Sequence, residues 1–218
     1  ENYLYEASFE PKNTLGSNKE PFWVGHLKKY ELNSEGGLIT PHCWDAGAKM
    51  RDQAETSRKM WTYNGSLVEF NTTNITAADL GVTTDPRRNE VVGFYRGVST
   101  GSPIYNLESW KLGDIFHSNP VAVRTPAAYF YDPRQSGAAA FKSFRTSNQR
   151  TAANGNQLIL VGANDGQLHA IRAGNGADCT SGGNEVWSFI PPNLLQKMSP
   201  VAHNSHASRT TLASHTYF

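Results

Sequence analysis

The most orderly apolar positions lie at Leu158-Ile159-Leu160-Val161, an aliphatic run of strand length and β-branched content. Asn164-Asp165-Gly166 follows, and Asp and Gly tolerate the positive φ that a tight hairpin turn needs. Leu168, Ala170 and Ile171 resume a strand. Beyond a glycine-rich connection, Glu185–Ile190 forms a further strand, stopped by Pro191-Pro192. The pattern predicts strand, turn, strand, loop, strand: most of one antiparallel blade.

The unit recurs. Gly166-x-Leu168-x-x-Ile171, with Trp187 further on, has a counterpart in Gly25-x-Leu27-x-x-Tyr30 followed by Trp44, and a third copy at Gly65-x-Leu67-x-x-Phe70. A repeat near 40 residues, built of short strands with glycine and aromatic signals, predicts an all-β chain of β-propeller blades. Coincidence is the alternative, because the pattern itself is permissive.

Elsewhere the pattern is weaker. Tyr3, Tyr5 and Phe9 alternate with period two and predict an edge strand, and Phe22–Leu32 predicts a hairpin strand ending at the Ser34–Gly37 turn. Residues 48–60 predict one or two helical turns, or an ordered loop. Asn64-Gly65 marks another hairpin. Thr76-x-x-Asp79 has capping-box spacing, with Gly81 placed to end a short helix. Val91–Tyr95 predicts a buried core segment. Ser109–Val123 combines an exposed turn with a β-branched run. Residues 132–157 read as a long insertion and 198–218 as a polar tail holding His203, His206 and His215. The whole chain, 1–218, thus reads as one partial propeller domain.

Composition narrows the function. A net charge of +1 offers no field for nucleic acid or anionic lipid, and no apolar run is long enough to span a membrane. Glu1 reads as the start of a processed or excised product. Cys43 and Cys179 lie outside any C-x-x-C context, which argues against zinc and c-type haem. They read either as one disulfide formed in an oxidising compartment or as two free thiols.

Several stretches carry a family resemblance: Phe9-Glu10-Pro11, Trp23–Tyr30, Trp44-Asp45-Ala46-Gly47, Phe94-Tyr95-Arg96-Gly97, Trp110–Val121, and Val161–Ala170 with Phe189–Pro192. They resemble the C-terminal propeller domain of PilY-type proteins, which are type IV pilus biogenesis and tip-adhesin factors. The resemblance implies quinoprotein-like blades and an extracellular, pilus-associated protein exported through the periplasm. It also implies roles in pilus assembly and adhesion. Its partners would be pilin or minor pilin subunits and host or abiotic surfaces, engaged through the insertion and the Gly97–Asn106 loop. In the family the chain runs on into further blades holding a calcium loop that has no match here. The propeller therefore reads as incomplete in this sequence, closed by a second chain or by more of its own polypeptide.

The candidate chemistry is sparse. Asp114 and Asp165 are the tempting carboxylates, but a lone Asn-Asp-Gly lacks the six to eight oxygens that calcium takes, and a hairpin explains it. His117 and His169 read as structural hydrogen-bonding groups toward neighbouring backbone. Gly25, Gly65, Gly113, Asn164, Gly166, Trp44 and Trp187 complete the blade-motif positions. No metalloprotease, P-loop or dinucleotide fingerprint occurs. Ala173–Trp187 also resembles the tryptophan-docking repeat of quinoprotein dehydrogenases, which makes a quinone-dependent oxidoreductase the alternative function. A structural subunit completing another chain's propeller is a third. The reading adopted is a binding protein with no enzymatic activity and no cofactor of its own.

Overall fold

A computed structural model describes residues 3–10, 24–98, 110–127, 136–151, 153–175 and 179–202. Trp23, most of the Gly97–Asn106 loop, residues 132–135 of the insertion and the three tail histidines lie outside them. Two sheets organise the described residues, and each hairpin has a local cause. Sheet one has the order β1 (Tyr3–Glu10), β2 (Val24–Leu32), β3 (Leu38–Asp45) and is antiparallel throughout. The Asn33 carboxamide closes its second turn by accepting the Glu35 and Gly37 amides.

Sheet two has six strands: β4 (Met60–Tyr63), β5 (Leu67–Glu69), β6 (Val121–Val123), β7 (Leu158–Ala163), β8 (Gln167–Arg172) and β9 (Glu185–Phe189). Their order is β5-β4-β9-β8-β7-β6. The expected blade is β7-β8-β9, antiparallel, with Asn164-Asp165-Gly166 as its tight connection and Gly166 at φ 82°. Strand β6 extends the blade beside β7, while the β4–β5 hairpin joins through a parallel pairing of β4 with β9. β-sheet dominates, with few helices. The sheets stay open and do not close into a ring among the described residues, and the three repeat copies fall in two sheets rather than three.

Among the described residues four α-helices flank the sheets: α1 (Ala46–Arg51), α2 (Asp85–Arg96), α3 (Ala138–Ser147) and α4 (Leu195–Val201). Asp45 caps α1 by accepting the Gly47 amide. Val91–Tyr95 is buried as expected, but inside α2. That helix starts at the Thr84 cap, with Pro in its first turn, and stops at left-handed Gly97. The Thr76–Asp79 capping box is closed reciprocally, but it holds a turn rather than a helix. The insertion contains α3, whose surface is mostly exposed. At the head of the segment expected to be a polar tail, Met198, Val201 and Ala202 are buried in the core. The register explains this: α4 follows the Pro191-Pro192 stop and turns its apolar side to α2.

Two cores result. One joins α2 and α4 to Met60, Phe70 and Ile190. The other lies between the sheets, where Leu27 and Trp44 of sheet one meet Ile159, Val161 and Ile171 of sheet two and Ala173 just beyond β8. No helix among the described residues is long and apolar enough to cross a membrane.

Candidate functional site

Most of the blade-motif residues converge on one buried junction between the sheets. The segment Trp110–Ile115 is wedged there. Its Leu112 carbonyl accepts the Gly25 amide at 3.1 Å, and Gly113 bridges to Val24 of β2. On the other side the Asp114 carbonyl accepts the Asn164 amide at 2.9 Å, and the Asn164 carboxamide donates to the Asp114 carboxylate at 2.5 Å. Asp165 Oδ2 accepts the Gly113 amide at 3.0 Å, while Oδ1 accepts the Gln167 amide at 3.0 Å. One segment therefore ties the first strand pair of sheet one to the hairpin tip of sheet two.

The glycines are spatial requirements. A Cβ on Gly25 would overlap the Gly113 carbonyl, one on Gly113 would crowd the Asp165 backbone, and one on Gly47 would overlap the Trp110 ring. Trp110 itself donates from Nε1 to the Gly25 carbonyl at 2.9 Å and stacks edge-on against His26. His26 Nδ1 lies 2.5 Å from Asp45 Oδ2, so the carboxylate that caps α1 also holds this ring.

Beneath the hairpin runs a fully buried ladder of alternating charge. Arg58 donates to both oxygens of Glu185, at 2.8 and 2.9 Å, and to the Tyr95 carbonyl at 2.7 Å. His169 donates from Nδ1 to Glu185 at 2.8 Å and from Nε2 to Asp165 Oδ2 at 3.0 Å. Ser188 and Arg58 both donate to the side-chain Oε1 of Gln167. Burial alone would push His169 down and Glu185 up. Neighbouring charges reverse both: the two carboxylates raise His169 to about 9, and Arg58 with His169 hold Glu185 well below the carboxylate range. His169 is therefore an imidazolium at neutral pH, and the ladder reads plus, minus, plus, minus.

This arrangement fixes geometry and offers no open reaction site. Every member has no exposed side-chain surface where its ion pairs are formed. Asp165 spends both oxygens on protein donors, so the Asn164-Asp165-Gly166 loop does not fit a calcium site. Among the described residues no cluster of three or more His, Cys, Asp or Glu is placed to hold a metal. His169 bonds carboxylates rather than the neighbouring backbone that the sequence pattern suggested.

The remaining motif residues scatter. His117 is exposed and packs edge-on against exposed Phe116, Gly65 sits at the β4–β5 turn with φ 103°, and Trp187 lies on the opposite face of sheet two. Arg58, Gln167 and Glu185 carry the ladder and were missed. Glu185 opens its strand just after Gly-Gly-Asn, and an acidic residue at an inward strand position was the available signal. Cys43 and Cys179 form a disulfide linking β3 to the loop before β9. Nearby, Trp44 covers Gly182 and Gly183 of that loop.

This is a β-sheet protein whose motif residues build an inter-sheet junction. No family model matches the chain and no solved structure matches it. Over 177 residues, 81% of its length, it is 27% identical to a type IV pilus biogenesis factor PilY1 homolog of Xylella fastidiosa. The matched span is 13% of that protein. The similarity is distant and points toward the family that the quoted stretches resemble.

Proposed function

We propose that this chain is part of a pilus-associated protein that promotes type IV pilus biogenesis and adhesion by binding other proteins or a surface. The observation that carries the reading is the similarity to the PilY1 homolog across most of the chain. In this reading the two sheets are neighbouring blades of a β-propeller, and the junction holds them in register. The Cys43–Cys179 disulfide fits an extracellular or periplasmic location, where such bonds persist. The partners are pilin or minor pilin subunits, met through loops on a rigid scaffold. The insertion with α3 is the leading contact region, because its surface is exposed and packs little against the sheets.

The test is deletion of the encoding gene in its natural host, followed by complementation with the natural protein carrying or lacking residues 138–147. Loss of surface pilin and of attachment on deletion, with incomplete restoration by the shortened protein, is expected. Undiminished surface pilin and attachment after deletion would overturn the reading.

A further inference from the structure

Strands β4 and β9 run parallel, so they end on the same side of sheet two and the segments that follow them meet there. Thr62 joins the two ends by donating from its hydroxyl to the Ile190 carbonyl at 2.8 Å. Between these segments lies a hollow of about 520 Å³, within the size range of small-molecule sites. Tyr63 and Asn64 border it from the β4–β5 turn, Asp79 from the turn it closes with Thr76, and Pro192, Asn193 and Gln196 from the chain after β9. Its floor is fixed, because Leu195 belongs to the same core as Ile75 and Leu80.

The hollow mixes two kinds of wall. Its apolar parts include Pro192 and the Tyr63 ring, which is 50% exposed. Its polar parts are three carboxamides and one carboxylate, and each carboxamide offers an acceptor and two donors. Two of these groups are already aimed. Asp79 Oδ2 accepts the Thr76 amide and hydroxyl, both at 2.7 Å, which leaves Oδ1 to accept from a ligand. Asn64 donates from Nδ2 to the Asn74 carbonyl at 3.3 Å, which leaves its carboxamide oxygen. Groups held in place beforehand lose less freedom when a ligand arrives.

The charge and the walls select the ligand. Asp79 alone among the lining residues is charged, so an anion would meet repulsion. A metal ion would find a single carboxylate, short of the oxygen set that calcium takes, and no metal-holding cluster exists among the described residues. A wholly apolar ligand would leave the carboxamides without partners. What matches is a ring with C–H faces for Tyr63 and hydroxyls, each both donor and acceptor, for the amides and the carboxylate. We propose that this hollow binds a neutral sugar, with one ring seated on Tyr63 and its hydroxyls shared among Asp79, Asn64, Asn193 and Gln196. The site is separate from the α3 region, and the inference goes beyond the pilus reading.

The experiment titrates lactose, maltotriose and mannotriose into the natural full-length protein, with sialyllactose as the charged control, and follows binding by saturation-transfer NMR. At least one neutral sugar should bind with a Kd of about 1 mM, more tightly than sialyllactose. Tyr63→Ala should weaken that binding about tenfold, whereas Tyr63→Phe, which keeps the ring, should stay within about twofold. Should Tyr63→Ala fail to fold, Asn193→Ala at an exposed position should show the same weakening. Trp187→Ala, in the apolar groove with Trp61 and Phe189, should leave binding unchanged. The proposal is overturned if no neutral sugar binds, if sialyllactose binds as well, if neither Tyr63→Ala nor Asn193→Ala weakens binding, or if Trp187→Ala abolishes it. Attachment lost on gene deletion without sugar binding would sink this proposal and leave the pilus reading standing. Sugar binding with attachment undiminished would do the reverse.

Discussion

Trp44 and Trp187 hold the same register position in two copies of one strand unit, yet their surroundings differ. Trp44 is 3% exposed, closed over by the glycines of the β8–β9 loop and flanked by the Cys43–Cys179 bridge. Trp187 lines an open groove with Trp61 and Phe189. The strand pattern makes a face apolar; what covers it is decided by another layer of chain. In sheet one that layer is sheet two, and the Leu112–Asp114 wedge locks their relative position. A sheet with one apolar face is a half-finished structure, and this chain shows one half finished and one half open.

The strongest way to break the closed half is to remove its covalent tie. Cys43→Ser with Cys179→Ser opens a loop with sequence separation 136, and loops of that size contribute about 4–5 kcal/mol. Chemical unfolding should show a loss near that size. A loss under about 1 kcal/mol would mean that the junction alone holds the sheets. Truncating the tryptophans sharpens the contrast. Trp44→Ala should cost about 3–5 kcal/mol, as for a buried aromatic, whereas Trp187→Ala in the 218-residue chain should cost about 1 kcal/mol. Equal losses would contradict the difference between the faces.

The charge ladder adds a pH dependence that belongs to the closed half. His169 titrates at about 9 in the folded protein and at 6.5 ordinarily. Its contribution is therefore complete below about pH 6.5 and is lost as pH rises through about 9. The loss should be on the order of 3 kcal/mol. Glu185 runs the other way: held below its ordinary 4.5, it contributes above that value, and its contribution is lost under acid. Stability measured by urea unfolding should thus fall on both sides of a plateau. In His169→Gln the alkaline slope should vanish, and its survival would assign that slope to another group.

How far the sequence reveals these features depends on their range. The β7-β8-β9 unit was legible because aliphatic runs and a turn tripeptide are local signals, and Gly65 and Gly166 both take the positive φ their turns require. Helix α2 carried its own marks in Thr84, Pro86 and Gly97, yet the short apolar run Val91–Tyr95 drew attention to burial rather than to period. The Arg58–Glu185 pair could not be read, because its partners are 127 residues apart and nothing local distinguishes a buried arginine from a solvated one. The packing of Gly25 on Gly113 is equally nonlocal: Gly25 occupies a repeat slot held elsewhere by a turn glycine, but it sits inside β2.

That last difference yields the smallest and most specific prediction. Gly25 and Gly65 occupy equivalent repeat positions, but their side-chain hydrogens do different work. At Gly65 nothing lies within 4 Å, so alanine there meets only the strain of φ 103°. At Gly25 the backbone is ordinary strand, and the obstacle is the Gly113 carbonyl pressed against it. Alanine at Gly25 must push the Leu112–Asp114 wedge away from β2, weakening the Gly25-to-Leu112 hydrogen bond and disturbing the Asn164 and Asp165 contacts beyond it. Overpacking of this kind costs about 1–3 kcal/mol. Alanine at Gly65 should cost about 1 kcal/mol through backbone strain. Amide exchange separates the two: Gly25→Ala should speed exchange at Gly113 and Asn164, across the junction, while Gly65→Ala should leave those amides unchanged. Unaltered exchange at Gly113 in Gly25→Ala would mean that the wedge is not what couples the two sheets.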